Sequence, residues 1–218
     1  MKSNVINGLL ATGSLLAACT AAAAPVQWTA AGGGNDHWYD YVSTALIWQE
    51  ARVAAGASSH AGMGGYLGTI TSAAEQSFVQ SLFPSMPLMW LGGTDEQAEG
   101  VWRWAVGPEA GSIFWGPGAP AGAYSRWFPG EPSNCCGTAN QTGESYLQIN
   151  WEYNFRVGSI GDPAAAWYWQ DHGAPSFPFQ ANGYLIEYGG LAVPEPGTLA
   201  LLGLGLAGLA VMRRRKDS

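Results

Sequence analysis

The chain has 218 residues, a net charge of −7, and a composition rich in glycine (31), proline (13) and tryptophan (11). With both ends set aside as handling signals, this length suits one domain with its own core rather than two. Between positions 24 and 192 four arginines and no lysine stand against fourteen acidic residues, a net of −10. Such a field repels nucleic acid and anionic lipid and favours cations, which excludes nucleic acid as a partner.

Lys2 opens an apolar, alanine-rich run over 8–24 that ends in small residues, which reads as a secretory signal over 1–23 with the mature start near Ala24. Leu16, Ala17, Ala18 and Cys19 also read as a lipobox, so lipidation of Cys19 stays open. Residues 27–29 and 39–42 are predicted strands around a glycine-rich turn at 32–35. From Thr44 the run TALIWQEARVAAGA places Leu46, Ile47, Ala51, Ala54 and Ala55 mostly on one face. This predicts an amphipathic helix capped by Thr44 and ended by Gly56. SAAEQSFVQSLF predicts a second helix, with Ser72 and Glu75 as a capping box and Pro84 as its stop.

Beyond Pro87 no further helix is predicted within the domain. LMWLGG and VWRWAV read as strands about the polar turn TDEQAEG, with Trp90, Trp102 and Trp104 facing inward. Residues 105–143 carry glycine or proline every few positions and read as a long irregular loop, which Phe114, Trp115, Tyr124, Trp127 and Phe128 mark as ordered. YLQINW, AWYWQD and YLIEY supply closing strands, so the class is α+β. The tail VPEPGTLALLGLGLAGLAVMRRRKDS joins a Pro-Glu-Pro turn, an apolar run over 198–212 and a basic cluster from Arg213 to Lys216. The fifteen residues of this run fall under the ~17 to 25 of a comfortable spanning helix, and the basic end would stay cytoplasmic.

The chemistry concentrates in WFPGEPSN, 127–134, and GESYLQI, 143–149. Glu131 and Glu144 offer hard carboxylate oxygens, Ser133 and Asn134 neutral ones, and Pro132 fixes a turn between them. That donor set suits Ca²⁺; the structural alternative is a solvated loop closed against Trp127 and Phe128. Once a signal is removed, Cys135 and Cys136 are the remaining cysteines, open to a vicinal disulfide or a bridge to another molecule. The spacing of His37, His60 and His172 matches no zinc or catalytic pattern. No catalytic residue is assigned, and the chain is not expected to be an enzyme.

Taken in order, the two helices, WLGG, WRW, the long loop, GEPSN, GES, WQD and GYLIEY resemble the C-type lectin-like domain, over residues 26–188 of a domain spanning 24–192. Trp90 to Gly93 is similar to the family's WIGG core strand, Glu131 to Asn134 to its EPN calcium motif, and Trp169 to Asp171 to its WND. The resemblance implies a strand pair that joins the termini, two helices flanking short antiparallel sheets, and a long loop region carrying Ca²⁺ and ligand. Carried over residue by residue, it implies a metal site of Glu131, Ser133 or Asn134, Glu144, Gln170 and Asp171. The bound ligand would meet Glu131, Asn134, Glu144, Gln170 and Asp171. Ser133 stands where the motif has Asn, Gln170 stands where WND has Asn, and the family's disulfides are absent.

Residues 193–216, within a C-terminal segment of 193–218, are similar to the bacterial PEP-CTERM sorting signal. This implies recognition by an exosortase, transient anchoring in the inner membrane by the apolar helix, and delivery to the cell surface or extracellular matrix of a Gram-negative bacterium. The combined expectation is an exported, non-enzymatic, calcium-assisted carbohydrate-binding module whose partner is a glycan or exopolysaccharide. The alternative is a calcium-independent structural or protein-binding matrix protein with the same fold.

Overall fold

A computed structural model describes residues 24–135, 143–155, 158, 160–173 and 179–192. The expected signal over 1–23, Cys19, Cys136, and the tail over 193–218 lie outside the described residues. In chain order the elements are β1 (Val26–Gln27), β2 (Trp38–Val42), β3 (Leu46–Ile47), α1 (Trp48–Gly56), β4 (Ser59–His60), β5 (Met63–Leu67) and α2 (Ala73–Ser81). There follow β6 (Met89–Thr94), β7 (Trp102–Trp104), β8 (Ile113–Trp115), β9 (Tyr146–Ile149), α3 (Trp151–Phe155), β10 (Trp169–His172), β11 (Gln180–Ala181) and β12 (Gly183–Ala192).

β12 organises the sheet. It runs antiparallel to β2 with Glu187 opposite Tyr39, and antiparallel to β5 with Ile186 opposite Leu67. It runs parallel to β6 with Tyr184 opposite Trp90. The last strand of the domain is therefore joined to the first through β2, which lies between them, as the resemblance implied. β6 carries β7 on one side and β9 on the other, β8 extends β7, and β10 closes on β9 with Asp171 opposite Leu147. Two nine-residue helices, the short α3 and short, mostly antiparallel strands make the α+β class.

Two apolar clusters fill the interior. One gathers Leu91, Trp102, Trp104, Leu147 and Trp169; the other gathers Trp48, Leu67, Trp90 and Tyr146. Trp90, Trp102 and Trp104 are each at most 2% exposed, as their strand positions predict.

Three local expectations are corrected. α1 begins at Trp48, not after Thr44, because Leu46 and Ile47 are drawn into pairing with Ala181 and Gln180. The Leu46 carbonyl is also taken by the Trp90 indole N–H at 2.9 Å, while the Trp48 indole donates to Leu91 O at 2.8 Å. Burying two indoles with their N–H groups satisfied outweighs one more helical turn. β8 lies inside the expected irregular loop and pairs with β7. Finally, the strand read through Trp151 ends at Ile149, and one turn of helix, α3, follows despite the expectation of none beyond Pro87. The break is at Asn150, whose φ is 70°, a left-handed conformation that asparagine tolerates. Its side chain donates to Pro87 O and accepts from Trp167 N, clamping the segment that leads into β10.

At α2 the Ser72 hydroxyl accepts from Glu75 N at 3.1 Å, as a cap should. The Glu75 carboxylate reaches back to Thr71, accepting from its N–H at 2.7 Å and its hydroxyl at 2.9 Å.

Candidate functional site

β9 and β10 form the floor of the site and the 127–135 loop its wall. The loop is fixed to the floor by backbone: Phe128 N donates to Trp169 O at 2.9 Å, and Trp169 N donates to Arg126 O at 2.8 Å. Past Phe128 the chain turns through a cis Glu131–Pro132 peptide. The next two amides then converge on Asp171, Ser133 N donating to Oδ1 at 3.0 Å and Asn134 N to Oδ2 at 2.6 Å. The Asn134 side chain turns to the other segment, its Oδ1 accepting from Glu144 N at 2.8 Å. Glu144 Oε1 lies 2.7 Å from His172 Nδ1. Asp171 thus ties the loop to β10, and Asn134 ties it to the start of the segment entering β9.

These residues surround a cavity of about 390 Å³. Of the six expected metal ligands, Glu131, Ser133, Glu144, Gln170 and Asp171 line it. Asn134, exposed with φ at 47°, contributes its backbone and an internal hydrogen bond instead. Two acceptors on the expected ligands, Glu131 Oε2 and Gln170 Oε1, are buried without a hydrogen-bond donor. The amide of Gln170 is otherwise fixed by donating from Nε2 to Gln148 Oε1 at 3.3 Å. Burial, reinforced by the neighbouring Asp171 carboxylate, pushes Glu131 up to about 7.

Two acidic residues join the site that the motifs did not indicate. Glu152, in the first turn of α3 and 5% exposed, lines the cavity and adds to the upward pressure on Glu131. Asp95, 2% exposed beyond the end of β6, accepts from Gly100 N through Oδ2 and has no donor at Oδ1. Burial, with Glu99 and Asp171 as neighbours, pushes it up to about 7. The signal available in the sequence was only that each is an acid beside a buried strand end. Cys135 also borders the cavity and is disulfide-bonded, its partner lying outside the described residues.

Hard oxygen donors with unmet acceptors are the chemistry a Ca²⁺ ion requires. A carboxylate that accepts one amide on each oxygen keeps further lone pairs, so the hydrogen bonds at Asp171 leave it able to coordinate. Among the described residues, no group of three His, Cys, Asp or Glu side chains is already gathered as a metal site.

The PEP-CTERM protein-sorting motif matches residues 192–216. This motif implies exosortase processing and an exported protein sorted by way of the membrane. Among the described residues no helix is long and apolar enough to cross a membrane, and the apolar run over 198–212 lies outside them. Over 158 residues, 72% of the chain, the sequence is 35% identical to halomucin of Haloquadratum walsbyi. Over 96 residues, 42% of the chain, it is 31% identical to a perlucin-like protein of Mytilus galloprovincialis. The chain spans only 2% of halomucin and 53% of the perlucin-like protein. Among solved structures, the C-type lectin CEL-I from Cucumaria echinata is similar with a TM-score of 0.48 at 23% identity, covering 72% of this chain and 92% of that one. By its joined terminal strands, two helices, long loop and motif order, the chain has a C-type lectin-like fold, and a PEP-CTERM protein-sorting motif follows it.

Proposed function

We propose that residues 24–192 form an exported, non-enzymatic binding module that holds a Ca²⁺ ion in the Glu131–Asp171 cavity and engages a glycan there. The observation that carries this reading is the pair of buried, donorless acceptors, Glu131 Oε2 and Gln170 Oε1, on a cavity also lined by Asp171 and Glu144. A buried acceptor without a donor costs free energy that a cation would recover. Glu131, Gln170, Asp171 and Glu144 would hold the ion, with Ser133 on the rim in the place expected of Asn134. When bound, the ion supplies open coordination positions for sugar hydroxyls. The residues themselves orient the ligand, Asp171 by fixing the loop and Glu131 by turning a carboxylate into the cavity.

A calcium-independent matrix role is the second reading. It is favoured by one observation: Asp171 and Asn134 already tie the loop down through the chain's own amides. Titration calorimetry with Ca²⁺, followed by glycan-array binding with and without EDTA, separates the two. Calcium heat together with EDTA-sensitive glycan binding supports the first. No heat, identical melting in EDTA and calcium-indifferent self-association support the second.

A further inference from the structure

A second pocket, of about 140 Å³, lies between α1 and the strands β6 and β7, and it shares no lining residue with the Glu131–Asp171 cavity. Its walls include Trp48 and Trp104, and two arginines face it, Arg52 from α1 and Arg103 from β7. Only four arginines occur between positions 24 and 192, against fourteen acids, yet half of them meet here. The Arg52 guanidinium lies 5.7 Å from the centre of the Trp48 ring. Arg103 Nη1 donates to Gln97 Oε1 at 3.0 Å, and its Nε is buried without an acceptor. Among the described residues neither guanidinium forms an ion pair with a carboxylate. Glu96 lines the same pocket, but its carboxylate accepts from the Tyr146 hydroxyl at 3.2 Å.

From this geometry we propose that the Arg52–Arg103 pocket binds the carboxylate of a sugar acid, a uronic acid residue in a polysaccharide. Guanidinium forks match a planar carboxylate with paired, charge-assisted hydrogen bonds. In a domain at −10, two cations without anionic partners are what an anionic group would seek. Glu96 disfavours a doubly charged phosphate more than a single carboxylate, and its oxygens accept from hydroxyl groups, as they do from Tyr146. One carboxylate surrounded by hydroxyls is the chemistry of a uronic acid, whereas an acidic peptide offers the charge without the hydroxyls. Trp48 and Trp104, 1% and 2% exposed, are core residues that back the pocket and hold the two arginines in place. This site requires no calcium and stands apart from the function proposed above.

The test is calorimetric titration of the full chain in EDTA with oligomers of galacturonate, glucuronate and mannuronate. Fully methyl-esterified oligogalacturonate and a polyglutamate peptide serve as comparisons. At least one acidic oligomer should bind saturably, with its esterified or neutral counterpart at least about tenfold weaker. Arg52→Ala, at an exposed position, should weaken binding by about tenfold with melting unchanged. Arg103→Lys should retain less than the parent because it lacks the fork. The proposal is overturned if no acidic oligomer binds, if ester and acid bind alike, if polyglutamate binds as tightly as the best oligomer, or if Arg52→Ala binds like the parent.

Discussion

Two clusters of buried carboxylates sit in this domain, and they are built in opposite ways. In the first, Glu187 of β12 and Glu75 of α2, each 1% exposed, are saturated by the chain itself. Glu187 Oε1 meets His37 Nδ1 at 2.5 Å and the Tyr39 hydroxyl at 3.3 Å, and its Oε2 accepts from Thr69 N and Oγ1. Glu75 accepts from Tyr39 and twice from Thr71. In the second, around Glu131 and Asp171, oxygens on Glu131, Gln170 and Asp95 are left without donors. The first cluster ties β2, β5, α2 and β12 together and leaves nothing for a ligand. The second accepts the cost of unmet acceptors, the contrast expected between a candidate site and a structural network of the same residue types.

The sharpest way to break the comparison is to remove the centre of the closed cluster. Glu187→Ala strands His37 and the Thr69 amide in a buried site, and should cost about 3 to 5 kcal/mol, lowering the melting temperature by roughly 10 °C. A scanning calorimeter reads this directly. A change under about 2 °C would show that the network is not holding the fold.

The same cluster should make stability fall as pH rises. Burial, then the charge on Glu187, pushes Glu75 from 4.5 up to about 7. The hydrogen bond to Glu187 raises His37 above 6.5. Both folded-state values are raised. The Glu75 contribution is therefore complete below 4.5 and lost by about 7, and that of His37 is complete below 6.5 and lost above it. For Glu75 this amounts to on the order of 2 to 3 kcal/mol. Melting curves from about pH 5 to 8 should show the decline, and Glu75→Gln should flatten its lower part.

In the open cluster, stability and binding should separate residue by residue. Asp171→Ala frees two loop amides and should cost about 1 to 2 kcal/mol even in EDTA, as well as abolishing any calcium-dependent rise in melting temperature. Glu131→Gln should abolish that rise while leaving the EDTA value unchanged or slightly higher, since it removes a buried acid raised to about 7. Equal EDTA losses in the two variants would contradict the view that Asp171 anchors the loop and Glu131 does not. The smallest effect is expected at the cysteines. The loop is held through Ser133, Asn134 and Asp171, and Cys135 is exposed. Replacing Cys135 and Cys136 together with Ser should therefore shift melting by no more than about 2 °C.

How far the sequence could be read follows from the same contrast. Glu131, Glu144 and Asp171 were legible because they sit in short strings of fixed order, and the strands and helices around them follow hydrophobic period and capping. Glu152 and Asp95 were not, because they reach the site through tertiary turns: the left-handed Asn150 that starts α3, and the β6 end that meets Ser145 through the Asp95 amide. The His37–Glu187 contact spans 150 positions and belongs to no motif. The start of α1 was misplaced because Leu46 serves β11 and Trp90, partners that no local window contains.

The stitching of β12 to β2 also has a mechanical meaning. β1 is antiparallel to β2 and β2 is antiparallel to β12, so the first and last strands run in the same direction with β2 between them. The row through Val26, Tyr39 and Glu187 aligns the three. The chain therefore joins this ladder at the Glu187 row, heading the same way as β12, which leaves past the Trp38–Tyr188 row. Tension drawn between a tethered tail and the opposite terminus would act along the strands, loading the hydrogen bonds together in shear instead of peeling them one at a time. The carboxylate clip at Glu187 sits in the row where all three strands first align, one row from the Trp38–Tyr188 end, so a residue expected to support thermal stability also lies on the line of force.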